Sequence, residues 1–198
     1  MRIKLNLWQT ILLFLPFVVS EIFRRLSYSG GPDHRIYFAI ANLLVTFNVA
    51  LVICYQTYLV LRFIKLSEAG SVFVKFNALV PAIFTVCYFL YIALDTVIAH
   101  SYNSRGYNTV PLRESQLHGV ALVFLLLLLH AFITFYFVNN QFVSKSVKKV
   151  PDDELRDEFM GDFLAPMKLL TKISIIIICF SLFVSVVLDT ITYTRAVK

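Results

Sequence analysis

"IYFAIANLLVTFNVALVICYQTYLVLRFI", residues 36–64, decides the fold. The run contains no acid, and its one base, Arg62, lies close to its end. A helix needs about 20 mostly apolar residues to cross a bilayer, and this run exceeds that comfortably. Its polar side chains follow helical spacing. Asn42 and Thr46 stand four apart, and Asn48 and Tyr55 form a second stripe. Small polar residues on a spanning helix let neighbours approach closely and bond across the contact.

Working outward, four more apolar segments cover roughly residues 5–23, 78–100, 118–140 and 168–192. The first is the weakest, since it is short, holds Gln9 and Pro16, and ends at Glu21. Two readings stand for it, a fifth span or a helix lying in the interface. A signal peptide fits less well, because no small-x-small cleavage site follows the apolar run. The chain has 198 residues, 59% hydrophobic and 15% charged, with mean hydropathy +0.76. A soluble domain is typically about 45–50% apolar and about 25% charged. The expectation is an all-α integral membrane protein built as a helical bundle. It has four strong transmembrane helices, one weaker one, and a short amphipathic cytoplasmic helix before the last span. Residues 1–198 form a single transmembrane domain.

The net charge of +6 is spread along the chain, and no Lys/Arg run exceeds two residues. It reads as membrane-flanking charge and not as a nucleic-acid patch, so no direct nucleic-acid binding is expected. Cys54, Cys87 and Cys179 each lie in an apolar run and read as small apolar residues. With five helices and a cytoplasmic N-terminus, eleven Lys/Arg fall inside and seven outside. That bias sets the orientation and makes residues 141–166 a cytoplasmic loop.

That loop carries "KVPDDELRDEFMGDFLAP", residues 149–166, where six of the twelve acids crowd into eleven positions. Pro151 followed by Asp152, Asp153 and Glu154 reads as a helix start, with proline at the first helical position and acids at the positive end of the dipole. Leu155, Phe159 and Phe163 recur every four residues and give the helix one apolar face. Pro166 reads as its end. A helix made to lie on anionic lipid would be rich in Lys/Arg, and this one is acidic. It reads either as a solvated interfacial helix or as a dock for a basic cytoplasmic protein. In the docking reading, Asp153, Glu154, Asp157 and Glu158 supply charge while Leu155, Phe159 and Phe163 supply apolar contact.

Inside the spans, Asp95, His130 and Asp189 are ionisable, and Asn42 and Asn48 are polar. Charges at that depth cost at least about 2.5–3.5 kcal/mol, so they usually face the bundle interior. Ser174, Ser181 and Ser185 share one face of the last segment and read as a helix-packing seam, which implies a homo-oligomer. No HExxH, GxSxG or Walker loop is present, and no paired Cys or His spacing suits a metal. The expectation is a non-enzymatic protein without cofactor or metal, whose partners are the lipid bilayer, its own copies and a cytoplasmic protein. The rival reading is an ion channel or small-solute transporter using Asp95, His130 and Asp189.

The overall plan, about 200 residues with four or five spans and the charged loop "FVSKSVKKVPDDELRDEFMGDF", resembles the small polytopic membrane subunits of bacterial anti-phage defence loci. It is most similar to the membrane-subunit family of the Kiwa system (KwaA). The accessory membrane proteins of type VI-B CRISPR loci share the same plan. What the Kiwa resemblance implies is a multi-pass homo-oligomer of the bacterial inner membrane that senses infection and recruits a cytoplasmic DNA-binding effector. Such an effector is basic, which suits the acidic helix. The family also implies four helices more than five.

Overall fold

Pro16 divides the first apolar segment. In the computed structural model, which describes residues 7–27, 34–68, 72–104, 130 and 133–196, that segment is two helices. They are α1 (Leu7–Leu13) and α2 (Leu15–Ser27). Proline has no N–H and its ring crowds the preceding turn, and the ladder slips at this point. The Phe17 N–H donates to the Phe14 carbonyl at 3.1 Å. The Leu13 carbonyl accepts instead from Asn48 Nδ2 at 2.6 Å, a bond from the neighbouring helix. The weaker first span expected over residues 5–23 is therefore a broken helix, and neither half reaches about 20 residues alone.

The residue 36–64 run is the centre of α3 (His34–Ser67), and α4 (Val72–Ser104) follows it. Among the described residues, two helices are long and apolar enough to cross a membrane, through the stretches Ile36–Ser67 and Val72–Leu94. Only 33% of the apolar stretch of α3 and 22% of that of α4 lies buried, and most of the large apolar residues of α4 are exposed. A core helix of a water-soluble protein has the opposite distribution. α4 contains Pro81. Three residues before it, the Ala78 carbonyl accepts the Thr57 hydroxyl of α3 at 2.9 Å. The carbonyl that Pro81 leaves without a helical donor is that of Asn77, so the Thr57 bond lies next to the proline break and not on it.

Most of the expected 118–140 span lies outside the described residues, which resume with His130 and continue from Ile133. A widened π turn, Thr134–Asn139, leads into α5 (Asn140–Lys148). α6 (Asp153–Phe159) follows, then a second π turn, Met160–Leu164, and finally α7 (Ala165–Ala196). Two expectations about this loop need correction. Pro151 is not the first helical residue, because Asp152 precedes the helix in extended conformation and caps it. Pro166 does not end the short helix either. It lies in the first turn of α7, where a missing N–H leaves no helical bond unmade, directly after the widened turn that absorbs the change of register.

The described residues contain helices and no strand. Their main core forms where α3 ends, α4 begins, and α5, α6 and α7 gather. Leu59, Val60, Phe63, Val74, Ala78, Val143, Val147 and Met167 are buried there. A smaller cluster joins Phe14, Val52 and Leu170. Between the two sits a polar knot. Gln56 Nε2 donates to Thr171 Oγ1 at 3.2 Å and to the Met167 carbonyl at 3.4 Å. Asn140 Nδ2 donates to the same Thr171 oxygen at 3.1 Å, and Thr171 donates back to Met167 at 2.8 Å. One hydroxyl thus ties α3, α5 and α7 together.

Candidate functional site: an acidic helix held by aromatic rings

The acidic helix begins with a cap. The carboxylate of Asp152 accepts the N–H of Glu154 at 3.0 Å and that of Leu155 at 3.4 Å. These are two of the donors that a helix start leaves without an intrahelical partner. Asp153 then ion-pairs with Arg156 at 2.6 Å, one turn on, with the Asp153 side chain 81% exposed. Glu154, Asp157 and Glu158 are exposed as well. Four carboxylates therefore share the outward side of a helix two turns long.

The apolar side faces inward. Phe159 and Phe163 are buried, and both meet Phe63 of α3 edge to face, with ring centroids 5.5 and 5.6 Å away. Phe142 of α5 approaches the same ring at 6.2 Å, and the Arg62 guanidinium lies 5.9 Å from the centre of the Phe163 ring. Edge-to-face aromatic pairs add about 0.5–1.5 kcal/mol each beyond the area they bury. The two phenylalanines assigned above to partner contact are thus occupied within their own chain. Of the apolar trio only Leu155 is exposed. The physical reason is the end of α3, where Phe63 offers a ring that the i, i+4 aromatic pair can clasp. What the helix exposes is the four carboxylates with Leu155 beside them. Among the described residues this surface is negatively charged, and its charge is its main chemical feature.

The polar residues expected inside the bundle have diverse surroundings. Asn48 is buried on the Leu13 carbonyl. Asn42 is half-buried, and its own carbonyl accepts the Thr46 hydroxyl at 3.0 Å. His130 is exposed and lies 3.5 Å from Thr134 Oγ1, a contact within its own segment. Ser174 is half-buried on α7. The side chains of Asp95, Ser181, Ser185 and Asp189 lie outside the described residues. The structure brings together none of the others. It assembles instead Gln56, Asn140 and Thr171, a set that sequence reading missed. The available signal was Gln56 itself, a full amide in the middle of an apolar run.

No protein-family model matches this chain, and neither does any curated protein or solved structure.

Proposed function

We propose that the protein is a non-enzymatic, membrane-embedded helical scaffold that presents its acidic helix to a basic cytoplasmic protein. The observation that carries this reading is the clasp of Phe159 and Phe163 on Phe63. It fixes the helix against the bundle and turns Asp153, Glu154, Asp157 and Glu158 outward, so the negative face is held in place before any partner arrives. Preorganised charge steers an encounter and selects partners of opposite sign.

Membrane embedding is supported by the outward apolar faces of α3 and α4. Phe73, Phe76, Ile83, Phe84, Leu90 and Leu94 are all exposed on α4 alone, far more than a soluble monomer tolerates in one patch. In this reading α7 and residues 118–140 complete a four-helix bundle, with broken α1–α2 packed alongside α3. The protein sits in the bacterial inner membrane with its N-terminus and acidic helix in the cytoplasm. It assembles with its own copies through the Ser174, Ser181 and Ser185 face. The likeness to Kiwa membrane subunits gives the scaffold its setting, recruitment of an effector during phage infection.

The test is joint replacement of Asp153 and Asp157 by Asn and of Glu154 and Glu158 by Gln. Single exposed ion pairs are worth about 0–1 kcal/mol. Four lost together correspond to on the order of a hundredfold in affinity. Co-purification of the partner should fall by that order, and rising salt should weaken the wild-type complex in the same direction. A quadruple variant that inserts normally and still retains its partner would reduce the acids to solvation.

A further inference from the structure

Beside the acidic helix, on the other wall of α5, the charge reverses. Lys145 and Lys148 of α5 and Lys168 and Lys172 of α7 line one open cleft of about 560 Å³, with Thr171 at its floor. All four lysines are exposed. Among the described residues none of them has an ion-pair partner; of the nearby acids of α6, Asp153 pairs with Arg156. Four ammonium groups around one concavity repel each other and focus a positive potential into it. The cleft is thus shaped for an anion, and its donors suit the oxygens of a phosphate group.

What lies next to the cleft selects the source of that phosphate. On α7 the lysines head a single stripe, for Lys168 and Lys172 are followed at helical spacing by Ile176, Phe180 and Phe183. Those three apolar side chains are exposed. Ile175 and Tyr136 continue the wall of the cleft in the same direction. A soluble phosphate would use only the lysines. A phospholipid would use both parts, its phosphate among the ammonium groups and its acyl chains along the Ile–Phe stripe. Basic pockets between helix ends at the cytoplasmic face are a recurrent way of holding anionic headgroups.

We infer that the cleft between α5 and α7 binds the phosphate of an anionic phospholipid. The inference rests on membrane embedding but does not depend on a partner for the acidic helix. It gives the two faces of the loop distinct tasks, with the lysines gripping lipid and the carboxylates left toward the aqueous phase.

The experiment uses the full chain in mild detergent. Phosphatidylglycerol, phosphatidylcholine and inorganic phosphate are titrated separately, and bound lipid is counted by native mass spectrometry alongside the thermal midpoint. Phosphatidylglycerol should bind and raise the midpoint, while the other two should do neither. The variant Lys145→Gln/Lys172→Gln removes one charge from each wall. A lysine near a membrane surface is worth about fivefold in affinity for anionic lipid, so the pair should cost about thirtyfold. Lys65→Gln/Lys75→Gln, two exposed lysines at the ends of α3 and α4 that the cleft does not include, should leave binding unchanged. Equal loss in both pairs would reduce the effect to diffuse charge and overturn the site. Inorganic phosphate acting as well as phosphatidylglycerol would overturn the lipid assignment. Carbonate extraction of native membranes separates the two failures. A chain that stays in the pellet but ignores phosphatidylglycerol loses only the cleft, whereas a chain that is washed off loses the membrane reading too.

Discussion

Asn48 shows why a polar residue belongs in an apolar helix. Pro16 diverts the Phe17 N–H to Phe14 and leaves the Leu13 carbonyl to be answered from another helix. An unpaired carbonyl in an apolar interior costs about 1–3 kcal/mol, while side-chain bonds between membrane helices average about 0.6 and reach about 1.7 kcal/mol. Asn48→Leu should therefore destabilise by about 1–2 kcal/mol in a reversible unfolding titration. The same change in a Pro16→Ala background should cost close to nothing, because residue 17 can then bond Leu13 directly. Equal costs in the two backgrounds would mean that Asn48 does not act through the break. Both residues are conspicuous in the sequence, and each can be flagged there as unusual. The bond that links them, from Asn48 to Leu13, spans 35 positions, and no local pattern connects its ends.

For the short elements, chemistry at the ends decides the outcome. Asp152 supplies both capping bonds of α6, and N-cap residues are worth about 0.5–2 kcal/mol. Asp152→Ala should speed hydrogen exchange at the Glu154 and Leu155 amides by about tenfold, whereas Asp152→Asn or Asp152→Ser should nearly restore protection. Exchange that ignores the substitution would show that the aromatic clasp alone holds the helix. The existence of this helix, its acidic start and its Phe159–Phe163 face were legible in sequence, since periodicity and dipole chemistry are local. What covers the apolar face was not. A period of four says that a stripe exists, and only the position of Phe63 says that the stripe is filled from within. Pro166 misled for a related reason. Proline is equally at home just past one helix and in the first turn of the next, and here the two helices are nearly continuous.

Over the whole molecule, one ring joins the bundle to the loop. Phe63 is completely buried and meets aromatic side chains of both α5 and the α6–α7 turn. Phe63→Ala should cost about 3–5 kcal/mol, the range for large aromatic truncations in a core. Because Phe63 meets rings from both sides of the loop, protease cutting near residues 149–152 should rise together with loss of the α3–α7 contact, in one transition. Phe63→Leu should retain more than half of the stability. Two separate transitions would mean that the loop folds on its own and merely rests on the bundle. At this scale, sequence reading yields the helical class from composition, and of the four strong spans it expects, two are long, apolar helices among the described residues, because length and hydropathy suffice for a span. It misses the lysine cleft, whose walls come from α5 and α7. As separate pairs, 145/148 and 168/172 register only as positive charge on one side of the membrane.

The Gln56 knot sets a schedule for biogenesis. Gln56 and the Met167 carbonyl it bonds are 111 residues apart. At translation rates of about 5–20 residues per second, α3 waits on the order of ten seconds for the strand of chain that completes its interior. Until residue 142 is made the Phe63 ring lacks its aromatic mates, and until residue 167 the Gln56 amide lacks its acceptors. The nascent protein must be shielded during this window, by the insertion machinery or by a second helix used as a stand-in. Quality control acting on this protein would have its longest opportunity between the emergence of α4 and the arrival of α7.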